Sequence, residues 1–373
     1  MTQPIQGLSA GVRGPERHTD TARFWVFLGA SVSPTDVGRV PRSGPAAVVA
    51  GVLLVVGLAT SLPAQGRTGQ APAAPAAPGL ETIQIRPNVY VIFGAGGNIT
   101  AHVGEDGVIL VDAGTSARAP QVVAAVNAIT PQPIRLIINT SADPDHVTGN
   151  AIVSAAGREV NPDAFSDDPH ATVLAHEQVM LRMSAPSGAD TLFPTALWPS
   201  ETYTARVRSM YLNNDAVLVH RLLGAHSDGD SVVLFRKADV IATGDILDLR
   251  HFPVIDAAQG GSIQGELDAL NRLLELTVPA MPLVLKPGRT LLVPGHGRVS
   301  DYAELVEYRD MVTTIKDNIA VLITEGKTLA QVQAANPTAG YRARWGRETG
   351  LWTTAQFVEA IYTGLRAPAG KAE

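Results

Sequence analysis

The feature that most constrains the fold of this chain is a short acidic segment, Asp143-Pro144-Asp145-His146. It closely follows an apolar, β-type run, Ile134–Ile138, that ends abruptly. Two carboxylates and one imidazole therefore fall within four residues, just beyond a predicted buried strand. Both groups are common metal ligands, and loops at strand ends are where a rigid α/β scaffold usually carries its reactive groups. The segment predicts a metal-binding loop.

Three further loops carry the same kinds of atom, and each lies next to an apolar strand. His226 belongs to a Gly- and Asp-rich stretch that directly precedes the run Ser231–Phe235. Asp245 follows the run Val240–Thr243, and His296 follows a run that ends at Val293. We expect the four loops to meet at one edge of the folded domain.

The rest of the domain alternates short strands with amphipathic helices. Period-two or short apolar runs bounded by Gly and Asp predict strands at 89–93, 99–103, 107–112, 134–138, 172–175, 216–219, 231–235, 240–243 and 290–293. Three-to-four spacing predicts a helix within 120–129, and further helices that begin at Ser262, Asp301, Thr328 and Thr353 or Thr354. Residues 190–199 are rich in turn formers and are predicted to be a loop.

The four loops, in this order and roughly at these separations, resemble those of the metallo-β-lactamase-fold hydrolases, whose first loop is written H-x-H-x-D-H. The resemblance runs from about Leu80 to about Val321. It implies an α/β fold, a four-layer αββα sandwich, with a C-terminal helical extension. The corresponding domain prediction is a metallo-β-lactamase-fold domain over 80–325, followed by a helical extension over 326–373 that packs on it.

The resemblance also implies metal-ligand roles, position by position. The second metal position would take Asp145, His146 and His296. The first would take His226, and Asp245 would bridge both. Ser141 and Asp143 stand where the signature has its first two histidines. The candidate ligands are thus Asp143, Asp145, His146, His226, Asp245 and His296.

The first metal position is therefore altered. Asp143 can still ligate, and a carboxylate shifts the preference toward harder ions, whereas a neutral Ser141 is a poor ligand. This position is expected to be weak, empty, or filled by Mn or Fe instead of Zn. Asp143 has an alternative interpretation as the former of an Asx turn at the strand end. Ser141 and His251 are candidates for the substrate pocket.

The predicted function is metal-dependent hydrolysis of an ester, lactone, amide or related bond, with one or two divalent ions, Zn foremost, activating water. Asp145 is the catalytic candidate, since it would both ligate and orient the nucleophile. One alternative is a catalytically impaired metal- or ligand-binding protein on a hydrolase scaffold. Another is a mononuclear iron oxidoreductase of sulfur compounds. The lack of cysteine and the presence of Asp245 disfavour some β-lactamase subclasses.

Other histidines and acids have simpler explanations. A lone histidine in a globular domain is usually a hydrogen-bonded structural residue, which is our interpretation of His102, His170, His176 and His220. Asp228 and Asp230 are predicted to be turn formers, and His18 lies in a leader that precedes the domain.

The N-terminal region predicts export. The apolar run Ala46–Leu58 follows two arginines and precedes a plausible cleavage point after Ala64, as in a signal peptide. The segment before this run is unusually long, so a misassigned start codon and a retained membrane anchor (residues 46–62) stay open. We predict a leader over 1–64, an Ala/Pro-rich linker over 65–79, and a periplasmic or extracellular protein.

The charge of the chain bears on its partners. The net charge is −6 and no Lys/Arg-rich run occurs, which disfavours a nucleic-acid partner. We expect a small-molecule substrate, and no stable membrane partner unless the N-terminal segment is retained as an anchor.

Overall fold

The computed structural model describes residues 79–159, 170–187, 190–280 and 289–366. The predicted leader, and the linker apart from Gly79, lie outside these residues. Within the described part of the chain, no helix is both long and apolar enough to cross a membrane.

Fourteen strands and nine helices make up the described part. The strands are β1 (Glu81–Arg86), β2 (Val89–Phe93), β3 (Ile99–Gly104), β4 (Gly107–Val111), β5 (Ile134–Ile138), β6 (Thr172–His176), β7 (Pro186–Ser187), β8 (Asp190–Thr191), β9 (Glu201–Tyr203), β10 (Val207–Leu212), β11 (Asp215–Arg221), β12 (Ser231–Phe235), β13 (Val240–Asp248) and β14 (Leu291–His296). The helices are α1 (Ala119–Ile129), α2 (Pro144–Val147), α3 (Asn150–Ala155), α4 (Glu177–Met183), α5 (Ile263–Leu276), α6 (Tyr302–Thr324), α7 (Leu329–Ala334), α8 (Arg342–Trp345) and α9 (Thr354–Arg366).

Two main sheets organise the domain. One has seven strands in the order β1-β2-β3-β4-β5-β6-β9, and the other has five in the order β10-β11-β12-β13-β14. In the first sheet, β1 to β4 are antiparallel and β4, β5, β6 and β9 are parallel. In the second, only the β13–β14 pair is parallel. Strand β5 ends shortly before the acidic segment, whereas Asp245 and His296, which were predicted to lie in loops after strands, belong to β13 and β14 themselves.

The alternation of side chains along each strand explains the layers. Ile109 and Val111 of β4 join Val233 and Phe235 of β12 in one apolar cluster between the sheets. The intervening residues point outward instead: Leu110 packs with α1 and α3, whereas Leu234 packs with α5 and α6. Because the strands bury both faces, they read as continuous apolar runs. The predicted αββα sandwich is confirmed.

The helix starts follow their predicted caps. The Ser262 hydroxyl accepts a hydrogen bond from the Gly265 N–H, Asp301 accepts from Ala303 and Glu304, and Thr328 forms a capping box with Gln331. Two further local predictions differ from the structure. The segment predicted as a plain loop over 190–199 contains the short strand β8 and a 3₁₀ turn, Thr195–Leu197, and the acidic turn after β5 is the one-turn helix α2.

The C-terminal helices share the core of the domain. The Phe357 ring of α9 stacks on Phe252 with centroids 4.8 Å apart. The Trp345 ring of α8 packs edge-on against Tyr308 of α6, with centroids 5.1 Å apart. All four side chains are buried in the cluster that covers the second sheet. The extension is therefore part of the same folded body as the second sheet.

Truncation of Phe357 tests this packing. Because its ring is fully buried against Phe252, we expect Phe357→Ala to lower the free energy of unfolding by about 3–5 kcal/mol. The exposed Val321 of α6 offers a control, and Val321→Ala should change stability by less than about 0.5 kcal/mol. Urea denaturation measures both; equal midpoints for the two variants would contradict the packing.

Candidate metal centre

Two groups of possible metal ligands lie side by side at the edge where the polar loops meet. The first ligand group is Asp143, His226 and Asp245, and the second is Asp145, His146 and His296. Within each group the nearest ligand atoms all lie within 4.8 Å of one another. The structure thus brings together all six residues proposed as ligands from the sequence.

Asp245 adjoins both groups. Its Oδ1 atom is 3.2 Å from Nε2 of His146 and 3.5 Å from Nε2 of His296. In the first group, Nε2 of His226 lies 3.3 Å from Oδ2 of Asp143, and in the second, Nε2 of His296 lies 3.1 Å from Oδ2 of Asp145. Asp245 thus belongs to the first ligand group and contacts two histidines of the second.

Local backbone geometry holds the acidic loop in place. Asp143 has an extended backbone and Pro144 begins α2, where its fixed φ and missing N–H suit a first helical turn. The single turn carries both Asp145 and His146 of the second group. A side chain at Gly97 would lie 2.8 Å from Cε1 of His146, so this glycine lets the β2–β3 loop approach the imidazole.

Asp143 does not act as an Asx-turn former. Its carboxylate makes no hydrogen bond to the first turn of α2 and instead faces His226. The hydroxyl of Ser141 fills the turn role, accepting a hydrogen bond from the Asp143 N–H at 3.2 Å. Ser141 is buried beneath the loop and does not line the cleft, so the structure gives no support to it as a pocket residue.

Asp112, which the sequence reasoning missed, supports His146. Its Oδ2 atom lies 2.7 Å from Nδ1 of His146, and its carboxylate also accepts hydrogen bonds from the N–H and hydroxyl of Thr140 at 2.8 Å each. Asp112 adopts a φ of 66°, a left-handed conformation that is uncommon outside glycine and that Asp tolerates better than most residues. A carboxylate in this position fixes the imidazole tautomer and leaves Nε2 free to ligate.

Asp230 plays the corresponding part for His226. It accepts hydrogen bonds from the N–H and hydroxyl of Ser227 at 2.6 and 2.7 Å, and its Oδ1 lies 3.4 Å from Nδ1 of His226. The prediction that Asp230 is only a turn former is therefore incomplete. Asp228 has no such contact with the centre and forms an ion pair with Arg182 at 2.8 Å.

Burial and charge set the protonation of the first ligand group. Burial raises the pKa of Asp143 to about 6, against the opposing effect of His226. Burial alone would lower the pKa of His226, but the hydrogen bond and negative charge of Asp230, together with Asp143, raise it to about 10. In the metal-free protein at neutral pH, His226 is thus a cation held between carboxylates.

Neighbouring charges also shift the pKa values of the second ligand group and of Asp245. Burial opposes the charged form of His146, yet Asp245 and Asp112 raise its pKa well above the usual range. Burial also acts to raise the pKa values of Asp145 and Asp245, and the neighbouring histidines overcome it and lower both. Strong mutual perturbation of this kind is typical of functional sites.

The two groups open into one cleft of about 670 Å³. Its lining comprises ligand residues of both groups, Asp248 at the end of β13, Arg250 and His251 just after it, and residues from the segment between α8 and α9. His251 is therefore placed in the cleft, as proposed, with its Nε2 3.2 Å from Oδ2 of Asp248.

The histidines interpreted as structural lie outside both ligand groups. His102 stacks on Phe235 and contacts Asp215 at 3.4 Å. His176 caps α4 through Nδ1, His220 is buried, and His170 lies 3.8 Å from Glu159. Burial lowers the pKa values of His102, His176 and His220, which favours their neutral forms.

Comparison with known protein families shows which family the chain belongs to. The profile of the metallo-beta-lactamase superfamily matches residues 92–307, which is more than half of the chain. The chain belongs to the metallo-β-lactamase superfamily. Members of this superfamily are mostly metal-dependent hydrolases, and the αββα layers and the two ligand groups agree with that membership. Comparison with curated proteins finds no match.

Three solved structures are similar to this chain at low sequence identity. The stereoselective inverting sec-alkylsulfatase Pisa1 from Pseudomonas sp. is similar over 76% of this chain, with 15% identity and a TM-score of 0.56. The chain covers only 50% of that enzyme. A metallo-beta-lactamase from Pontibacter korlensis (16% identity, 63% of this chain and 99% of that one) has a TM-score of 0.48. The DIM-1 metallo-beta-lactamase (13% identity, 64% and 98%) has a TM-score of 0.47.

The superfamily implies divalent metal ions, and the donor chemistry here fits them. Each ligand group combines imidazole nitrogens with carboxylate oxygens, the set expected for divalent ions in a chain without thiolate ligands. The supporting contacts of Asp112 and Asp230 to the far ring nitrogens are those that metal-binding histidines usually make. The first group is richer in oxygen than the second, because it holds two carboxylates and one imidazole.

The support from Asp112 can be tested by Asp112→Asn. We expect divalent-metal affinity to fall about 10- to 100-fold, because the imidazole of His146 loses the carboxylate that orients it. Asp215 offers a matched control, since it forms a buried pair with His102 remote from the centre. Zn competition titrations measure both variants; an equal loss of affinity in Asp215→Asn would show a general rather than a local effect.

Proposed function

We propose that this protein is a metal-dependent hydrolase that cleaves an ester, lactone, amide or related bond in a small molecule. The observation that carries the proposal is the convergence of two complete ligand groups, joined by Asp245, on one open cleft. Superfamily membership supports the reaction class. The bond cleaved and the metal used are parts of the proposal, with Zn as the expected ion and Mn or Fe as alternatives for the first ligand group.

A divalent ion in such a centre supplies Lewis acidity and lowers the pKa of bound water toward neutrality. The residues of the chain do the positioning. His146 and His296 hold one side of the centre, His226 and Asp143 hold the other, and Asp245 lies between them. Asp112 and Asp230 fix the two imidazoles that they contact.

Asp145 is proposed to act on the proton of the nucleophile. Its carboxylate is about one-third exposed toward the cleft and lies 3.1 Å from His296. Its lowered pKa keeps it ionised at neutral pH, as a proton acceptor must be before attack. After accepting a proton, it is placed at the cleft surface to pass that proton to a leaving group.

The alternative of a metal- or ligand-binding protein without catalysis rests on the loss of two first-position histidines. Against it, Asp143 still faces His226 across 3.3 Å, and Asp230 still supports that imidazole. A relaxed site would have no need of this support. The third reading, an iron oxidoreductase of sulfur compounds, has no specific observation in its favour.

Export to the periplasm or the extracellular space is likewise a proposal, resting on the signal-like run at 46–58 and the small residues before position 65. The partner proposed is a small-molecule substrate. The acidic net charge of −6 supports the absence of a nucleic-acid partner.

Metal binding is expected to release protons. In the metal-free protein at pH 7, His226 (pKa about 10) and His146 (pKa well raised) hold protons that coordination must displace. Asp143, with its pKa raised to about 6, adds a further proton below that pH. The affinity of the protein for divalent metal should therefore rise from pH 5 to pH 8. Calorimetry at pH 7 in buffers of different ionisation enthalpy should give about two protons released, and release of none would contradict these protonation states.

The hydrolase proposal is tested with purified protein, with and without chelator, on lactones, thioesters, carboxylic esters, β-lactams, phosphodiesters and a secondary alkyl sulfate. The expected result is metal-dependent turnover of at least one class, lost on chelation and restored by metal. Near-stoichiometric metal with no turnover on any class would overturn the proposal in favour of a binding protein.

A further inference from the structure

Two arginines line the cleft, Arg250 and Arg347, and Arg250 is already paired with a carboxylate. Arg250 contacts Asp248 with both Nη2 and Nε, at 3.0 and 3.4 Å. His251 contacts the same carboxylate at 3.2 Å. The other arginine is Arg347, from the segment between α8 and α9, and its partners are different.

Arg347 forms no ion pair with any residue in the described ranges. Its Nη1 donates to the Gly346 carbonyl at 2.8 Å and its Nη2 donates to the Arg250 carbonyl. Both partners are neutral, and they use two of the five N–H donors that a guanidinium carries. An exposed guanidinium that lines a cleft with donors to spare is suited to bidentate binding of a carboxylate.

The segment that carries Arg347 is held firmly at both ends. The Arg347 backbone exchanges hydrogen bonds with Thr354 at 2.8 and 3.0 Å. At the other end, the Trp352 indole donates to the Pro253 carbonyl at 3.1 Å. Residues 347–352, which form one wall of the cleft, are therefore anchored both to α9 and to the loop that follows β13.

Between these anchors the segment is polar at Glu348, which pairs with Arg342, and at Thr349, and it becomes apolar at Leu351. Leu351 is 99% exposed and, with Trp352 and Val254, lines the cleft beside Arg347. Covering such an exposed aliphatic side chain with an apolar part of a ligand removes it from water, which favours binding. Arg347, which has no carboxylate partner among the described residues, therefore lies beside an apolar patch formed by Leu351, Trp352 and Val254.

We propose that the segment Arg347–Trp352 binds the substrate's own carboxylate and apolar chain, so that the enzyme prefers amphipathic organic anions. Arg347 takes the carboxylate, and Leu351 and Trp352 cover the chain. The proposal rests on the hydrolase function for its kinetic consequence but not for its binding consequence. The segment lies beyond residues 92–307 that match the superfamily profile, so this specificity belongs to the extension of this chain.

A pair of esters tests the proposal kinetically: the 4-nitrophenyl monoester of hexanedioic acid, which keeps a free carboxylate, and 4-nitrophenyl hexanoate, which has none. In Arg347→Gln, kcat/KM for the carboxylated ester should fall about 10- to 100-fold, mainly through KM, from loss of a charge-assisted contact. The neutral ester should change less than about twofold. Arg347→Lys, which keeps the charge without the fork, should be intermediate.

Two further variants control for charge and for the apolar patch. Arg272→Gln removes the same charge from α5, where Arg272 pairs with Glu275 outside the cleft, and it should leave both esters unchanged. Leu351→Ser should flatten the rise of kcat/KM with acyl-chain length. Equal loss on both esters in Arg347→Gln would show a merely structural role for Arg347 and overturn the proposal.

Binding separates failure of this inference from failure of the hydrolase function. If the parent hydrolyses neither ester, calorimetric titration of the metal-loaded protein with hexanoate and with 1-hexanol replaces the kinetics. Hexanoate should then bind Arg347→Gln about tenfold or more weakly than the parent, with no change for 1-hexanol. Equal hexanoate affinity in parent and variant, or no hexanoate binding to the parent, would overturn the proposal.

Discussion

Asp145→Asn is expected to lower kcat for metal-dependent hydrolysis by about 100- to 10,000-fold, the range typical of a lost general acid–base group. The amide cannot accept the proton of the nucleophile, although it matches the carboxylate in size. It also weakens the contact with Nε2 of His296, now 3.1 Å. Steady-state kinetics on the best substrate of the panel measures the effect.

Asp228→Asn is the matched control for this variant. Asp228 lies in the loop that carries His226 but pairs with Arg182 and belongs to neither ligand group. The Asp228→Asn substitution should change kcat by less than about threefold, because it removes only a partly exposed ion pair. If Asp145→Asn kept more than a tenth of the parent rate with its metal retained, Asp145 would not be the proton acceptor.

Asp143→Ala is expected to cause the second large effect, a fall in kcat/KM of about 100-fold or more. Removing Asp143 takes one of three ligands from the first group and leaves His226 facing Asp245 without its nearest carboxylate. The Lewis acidity of one metal ion supplies several kcal/mol of transition-state stabilisation, and each 1.36 kcal/mol is tenfold in rate.

Asp143→His provides the informative comparison, because it returns an imidazole to the position where the superfamily signature has one. We expect it to keep metal at the first group and more activity than Asp143→Ala. If Asp143→Ala kept the full parent rate, the first ligand group would contribute nothing to catalysis.

Much of the fold was predictable because local patterns and burial agree. Each inner strand, such as Ile134–Ile138 and Ser231–Phe235, is apolar on both faces since it packs between a sheet and a helical layer. The helix starts at Ser262, Asp301 and Thr328 carry their own capping side chains. Such signals lie within a few residues of one another and need no tertiary information.

The supporting residues of the centre could not be found that way. Asp112 is 34 positions from His146, and only the pairing of β4 with β5 brings the two together. An Asp directly after a strand is a weak signal by itself. Asp230 did lie close to His226 in sequence, and its spacing of four residues was a clue that the turn interpretation overlooked.

The contribution of residues 347–352 to the cleft was equally impossible to predict from the sequence. Residues 347–352 form a loop whose position depends on contacts about a hundred positions away, such as that of Trp352 with Pro253. The sequence placed this region in a helical extension, with no link to the site. His251, by contrast, was found because it follows Asp245 closely along β13 and the loop after it.

The central claim is that Asp143 completes a first metal position beside an intact second one. Its most direct test is the metal content per chain of the parent and of Asp143→Ala, purified and loaded side by side and measured by mass spectrometry of the elements. The account predicts about two ions in the parent and about one in the variant. The same metal content in both proteins would contradict it.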